Sequence, residues 1–193
     1  VISNPAKDSI ERIFYKAAQT RLPLHAGDPC TITPLAPEAA LASGLATGGY
    51  LGGGAAPPDP QVVVLTISSI LFRLMLVLNF DTGEATRGYF LKHEAQGAFP
   101  EVYAELANLC CGAMNQELLN YFPDLGMSTP YVLSARCVPH LENLKPAYLG
   151  GFEIVVGADA RITATICVCA HGPIDFVADV SALEESSGEL ELF

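Results

Sequence analysis

The chain has 193 residues, half of them apolar and 16% charged, with a formal net charge of −11. That length suits one domain with a sizeable core, and the apolar content excludes wholesale disorder. The acidic balance argues against nucleic acid and against an anionic membrane surface as partners.

Residues 5–20 place Ile10, Ile13, Phe14, Ala17 and Ala18 on one face at helical spacing, which predicts an amphipathic helix stopped by Pro23. A short strand is expected over 30–35. From 34 to 60 the chain is rich in Ala, Gly and Pro, including Gly48-Gly49, Gly52-Gly53-Gly54 and Pro57-Pro58. This stretch reads as a flexible loop or insertion. Gly52-Gly53-Gly54 lacks a following Lys-Ser/Thr and a strand-to-helix setting, so it is not a phosphate loop. Residues 61–67 and 73–80 predict a hairpin that turns near Ser68-Ser69. Thr66, Ser68, Ser69, Arg73 and Asn79 divide the run 62–80, which therefore lacks the ~20 consecutive apolar residues of a membrane-spanning helix.

The stretch up to Gly97 gives no clear pattern. A long helix is expected from about 100 to 121, with Pro100 in its first turn and Pro123 and Gly126 ending it. Three strands follow, at 131–138, 152–156 and 162–170, the last two joined by a turn at Gly157-Ala158-Asp159-Ala160. The apolar strand 162–170 is read as an edge able to pair with a second copy. Helix, short strand and hairpin thus occur twice in the same order, which predicts a duplicated unit. Two long helices with antiparallel hairpins imply an α+β domain, the helices packed on the sheet. One domain is expected over 1–178, followed by an acidic tail at 179–193. No signal-like charged, apolar and cleavage regions open the chain, so a cytoplasmic protein is expected.

The six cysteines form no CxxC pair, and His25, His93, His140 and His171 stand alone, so no metal site is expected. Cys167 and Cys169 share one side of a strand, where free thiols act as small hydrophobes. Cys110 and Cys111 point about 100° apart on a helix, a poor basis for a local disulfide.

On the long helix, Tyr103, Leu106, Ala107, Cys110, Ala113, Met114, Leu118 and Tyr121 form a broad apolar face. Glu101, Glu105, Asn108 and Gly112 fall opposite, at spacings of four, three and four residues. Glu105 and Asn108 are therefore neighbours, about 5 to 6 Å apart at Cβ, and both are expected to be exposed. Most polar stripes of this kind only solvate a helix. Glu117-x-x-Asn120 repeats the spacing, but it is turned toward the core face and no proline follows at the matching distance.

The run Glu105-Leu106-Ala107-Asn108-Leu109-Cys110-Cys111-Gly112, followed by Ser128-Thr129-Pro130 at the start of a strand, resembles the CheC/CheX/FliY family of chemotaxis phosphatases. Here 21 residues separate Asn108 from Pro130, one fewer than the family spacing, and Glu101 stands where the family carries Asp or Ser. The resemblance implies a CheC-like fold and hydrolysis of the aspartyl phosphate of a CheY-like receiver domain. Asn108 would orient the attacking water, and Glu105 would pair with a lysine of the receiver. Glu101, Gly112 and Pro130 would contact the partner. No cofactor is implied on this chain, since the receiver itself binds Mg²⁺. The first-half counterpart, Glu11-x-x-Phe14, has no amide, so a single site is implied, as in CheX, and CheX-like proteins form homodimers. The alternative is a non-catalytic binding module, an adaptor or a flagellar-switch component of the FliM type.

Overall fold

The computed structural model describes residues 1–42, 60–91 and 99–179. Helix α1 (Asn4–Arg21) starts where Ser3 Oγ accepts the Ala6 amide at 3.2 Å, with Pro5 in its first turn. Its buried face carries Ile10, Ile13, Phe14, Ala17 and Ala18, as the spacing requires. Strand β1 (Cys30–Leu35) follows.

The expected loop then begins with a helix, α2 (Pro37–Ala42). It forms because Ala40 and Leu41 bury against the sheet, where the Ala40 methyl sits so close over Gly151 that a Cβ there would collide with it. The rest of the predicted insertion, 43–59, lies outside the described residues. Strands β2 (Gln61–Ser68) and β3 (Phe72–Phe80) form the expected hairpin. A short helix, α3 (Glu84–Phe90), occupies part of the unpatterned stretch and buries Thr86 and Phe90. Helix α4 (Phe99–Leu118) is the predicted long helix.

Strand 131–138 is shorter than expected. After the two-residue β4 (Gly126–Met127), β5 spans only Tyr131–Ser134, and the chain then enters a 3-10 helix, Ala135–Leu144. Ser134 Oγ accepts the Arg136 amide at 3.3 Å, while Ala135, Val138 and Leu141 bury at the three-residue spacing of that helix. Strands β6 (Tyr148–Val156) and β7 (Ala160–Ala170) complete the chain, joined through Gly157 at φ +62°.

The sheet order is β1-β6-β7-β3-β2, with β4 and β5 both pairing to β2 at the far margin, and every strand pair is antiparallel. The two halves are therefore related across the central β3–β7 pair, and each lends its first strand to the other's hairpin: β1 to β6, β5 to β2. Strand β7 is central, not an edge, because both of its sides are hydrogen-bonded. Its alternation is blurred because both of its faces are covered.

Helices α1 and α4 pack on one face over the main core. On the other face, α2 and the 3-10 helix cover a smaller cluster built from Leu41, Val62, Val77, Ala135, Val138, Leu141 and Cys167. A terminal strap closes the helical layer. Ile2 bridges Ile174 in parallel, the Ala178 amide donates to Ser9 Oγ at 2.9 Å, and the Asp179 amide donates to the Tyr121 hydroxyl at 3.0 Å. This joins the first half of α1 to the far end of α4, so the two helices run antiparallel. None of the described helices is long and apolar enough to cross a membrane.

The β2–β3 turn is held from outside the hairpin. One oxygen of Asp124 accepts the Ile70 amide at 2.7 Å and the Ser69 hydroxyl at 3.0 Å. The Ile70 amide, and then Ser69, hold the Asp124 carboxyl below its ordinary range. Because the folded pKa is depressed, the turn's support is complete above the ordinary carboxylate range and is lost as pH falls through the lowered value. Asp124→Asn should remove that pH dependence and speed amide exchange at Ile70 at neutral pH, as hydrogen exchange would record.

Candidate functional site

Helix α4 is fixed by its buried face. Tyr103 stacks on Phe80 with ring centroids 4.0 Å apart, and Phe90 meets both rings edge-on. One and more turns further on, Ala107, Cys110, Cys111, Met114 and Leu118 are all fully buried. Burial pushes the Tyr103 hydroxyl and the Cys110 thiol up, and the Cys111 thiol up to about 12. All three stay protonated at physiological pH, so none of them adds charge to the helix.

The opposite face carries Glu101 and Glu105, both exposed, with Asn108 and Gly112 partly exposed beside them. Glu105 and Asn108 lie one helical turn apart, as their spacing requires. Among the described residues, neither side chain makes a hydrogen bond or an ion pair within the chain. The acid and the amide are thus free to bind something else. A Cβ built on Gly112 meets nothing within 4 Å, so this position has open space above it. Leu109, four residues beyond Glu105, is 43% exposed and adds an apolar contact to the stripe. Sequence reading missed it, because one leucine among polar residues gives no pattern.

Pro130 lies off the helix, in the link between β4 and β5, two strands that both pack against α4. A bulge forms this link. The Ser128 amide donates to Thr66 O at 2.9 Å, and Ser128 Oγ, in the place of a backbone carbonyl, accepts the Thr66 amide at 3.0 Å. Four of the five residues singled out from the sequence therefore share one helix surface, and Pro130 sits at the adjoining sheet margin.

The second Glu-x-x-Asn pair does not form a comparable site. Glu117 is half-buried with one carboxylate oxygen enclosed, and Asn120 falls beyond the end of α4. In the first half, the Tyr148 hydroxyl donates to Glu11 Oε1 at 2.6 Å, and Phe14 is buried with its ring 5.0 Å from Phe152. The Glu11 and Phe14 pair thus offers neither an unbonded acid nor an amide.

The six cysteines are all free thiols; Cys110, Cys111 and Cys167 are buried, and Cys30, Cys137 and Cys169 are partly so. Among the described residues, no group of three or more His, Cys, Asp or Glu side chains is placed to hold a metal ion.

The two faces of α4 should respond differently to truncation. Met114→Ala is expected to cost about 2–5 kcal/mol, as for other buried methionines. Glu105→Ala and Asn108→Ala should each stay within about 0.5 kcal/mol of the parent, having no internal partner to lose. Urea denaturation followed by circular dichroism measures both.

No protein-family model matches the sequence, and no curated protein matches it significantly. Solved structures do match. The complex of CheX with CheY, BeF3 and Mg²⁺ from Borrelia burgdorferi aligns with a TM-score of 0.53 at 11% identity, over 85% of this chain and 97% of that one. CheX from Vibrio vulnificus aligns with a TM-score of 0.52 at 16% identity, over 82% and 95%. Such identities speak for architecture alone, and the architecture is plain: the chain has the α+β fold of the CheC/CheX proteins.

Proposed function

We propose that the chain is a phosphatase that hydrolyses the aspartyl phosphate of a CheY-like receiver domain. The reading rests on one observation: Glu105 and Asn108 stand one turn apart on the outward face of α4, with no hydrogen bond or ion pair among the described residues.

Phosphoryl transfer asks little covalent chemistry of a protein and much positioning. An amide can accept a hydrogen bond from a water and also donate one, so Asn108 can hold a water in line with the scissile bond. The water oxygen bonds to phosphorus as the bond from phosphorus to the aspartyl oxygen breaks, leaving inorganic phosphate and a free carboxylate. The Mg²⁺ belongs to the receiver. Glu105 supplies the charge that pairs with a receiver lysine, and this fixes the helix against its partner. Leu109 gives that contact an apolar centre, Gly112 allows close approach, and Glu101 and Pro130 lie at the rim. The related CheX from Borrelia burgdorferi, captured with CheY, BeF3 and Mg²⁺, supports a receiver as the partner. A receiver partner implies a cytoplasmic site of action.

Two measurements separate the roles. Asn108→Ala should slow receiver dephosphorylation by about 10²-fold while leaving affinity for a beryllofluoride-activated receiver close to the parent. Glu105→Ala should weaken that affinity itself. Equal dephosphorylation rates for parent and Asn108→Ala would leave the chain a non-catalytic binding or flagellar-switch module. Gly112→Ala should raise stability by about 1 kcal/mol, since the helix gains a better former in open space. Gly112→Trp should fold equally well but dock poorly, as titration calorimetry with the activated receiver would show.

A further inference from the structure

The second face of the sheet changes character along its strands. Beneath α2 and the 3-10 helix it is apolar, but near the end of β3 the pattern breaks at Asn79, a residue type that strands disfavour. Register sets Asn79 beside Thr163, and Thr163 beside Glu153. Their chain neighbours Leu78, Ile162 and Phe152 belong to the main core on the helical face, so these three polar side chains point the other way. One step further along, the Asp81 amide donates to Arg161 O at 3.0 Å, which sets those two residues side by side as well. The five side chains, with Thr82, line a cavity of about 160 Å³. A single water needs only about 10–15 Å³ of such space, so the cavity has room for a small organic molecule.

The polar groups of this cavity are incompletely used. Arg161 donates from Nη1 to Glu153 Oε1 at 3.0 Å and from Nε to Asp159 Oδ1 at 3.1 Å, so two carboxylates already offset its charge. The Gly83 amide donates to Asp81 Oδ2 at 3.2 Å. Among the described residues, no hydrogen bond engages Glu153 Oε2, Asp81 Oδ1 or the side chains of Asn79, Thr82 and Thr163. Three carboxylates thus stand against one guanidinium, and the groups left over are mostly acceptors. We propose that this cavity binds a small organic cation with N–H donors, a protonated amine. Asp81 and Glu153 take its charge through charge-assisted hydrogen bonds, while Asn79 and Thr163 contact the atoms next to its nitrogen. An anion would meet the carboxylates with only a committed guanidinium to hold it. A metal ion fits poorly, because among the described residues no three ligating side chains converge.

The inference stands apart from the phosphatase reading, because it is tested by binding rather than by turnover. Ethanolamine, with one ammonium and one hydroxyl, serves as the probe. Titrated into the 193-residue chain at fixed pH and ionic strength, it should shift the backbone amide NMR signals of residues 79–83 and 161–163 saturably. Tetramethylammonium has the same charge but no N–H donor and should leave those signals in place, as should ethylene glycol, which has hydroxyls but no charge. Asp81→Asn should weaken ethanolamine binding about 10- to 100-fold, the worth of a hydrogen bond to a charged group. Glu153→Gln should do the same with unchanged circular dichroism, since its ion pair with Arg161 is exposed and contributes little to stability. A parent without saturable shifts overturns the inference. So does equal binding of tetramethylammonium, which would reduce the effect to diffuse attraction. Ethanolamine binding that survives both substitutions overturns it as well.

Discussion

The antiparallel pairing of β3 with β7 is the contact on which the molecule depends. It joins the two hairpins along nine paired positions, from Phe72 with Ala170 to Phe80 with Ile162. Leu74, Leu76 and Leu78 lie beside Val168, Ile166 and Ala164 on the helical face, and all six are fully buried. The strands that flank this centre come from opposite halves, β6 beside β7 and β2 beside β3. The two hairpins are local, but the pairings that join them, β3 with β7, β1 with β6 and β5 with β2, are long-range in sequence and must close large loops before their contacts reward them.

The two long helices differ in what they do with matching positions over the sheet. Both bury a full apolar face. On α1 the outward acid is consumed by Tyr148, whose ring can fold back because Gly150 leaves no Cβ in its way. On α4 the equivalent surface is left open, with Gly112 vacant above it. Rigidity beneath and vacancy above suit the proposed role, in which a side chain placing a water would gain nothing from a helix that can shift. The stacked pair of Phe80 and Tyr103 holds α4 to the central strand β3, so the candidate site is referenced to the middle of the sheet.

Much of this was legible in the sequence, and the failures have physical causes. Helices α1 and α4 and the hairpin of β2 and β3 show their periods because each has one buried and one less buried face. Helix α2 does not, since the packing that forms it depends on Gly151, far along the chain. Strand 131–138 reads as continuous because Val132, Leu133 and Val138 suit a strand, yet Ser134 turns the chain and Val138 joins a 3-10 face. Strand β7 was expected at an edge. Its unbroken apolar run is instead the mark of a strand covered on both faces, with Thr165 and Cys167 buried under the second layer. On α4 the stripe from Glu101 to Gly112 could be read from spacing alone. Leu109 and the cavity beside Asn79 could not, because each acquires meaning only from what it stands beside.

The exchange of first strands between the halves has a consequence for how such a chain can arise. A lone half would carry a hairpin lacking its neighbour and a strand with nowhere to go, so it could not be a stable monomer. Two identical halves on separate chains would satisfy each other only by swapping those strands, and the product would be an intertwined pair. Fusing the genes end to end converts that bimolecular bargain into an intramolecular one and raises the local concentration of each half for the other. Once tethered, the two halves are free to differ, and one helix can keep only its packing face while its counterpart keeps an open polar surface as well.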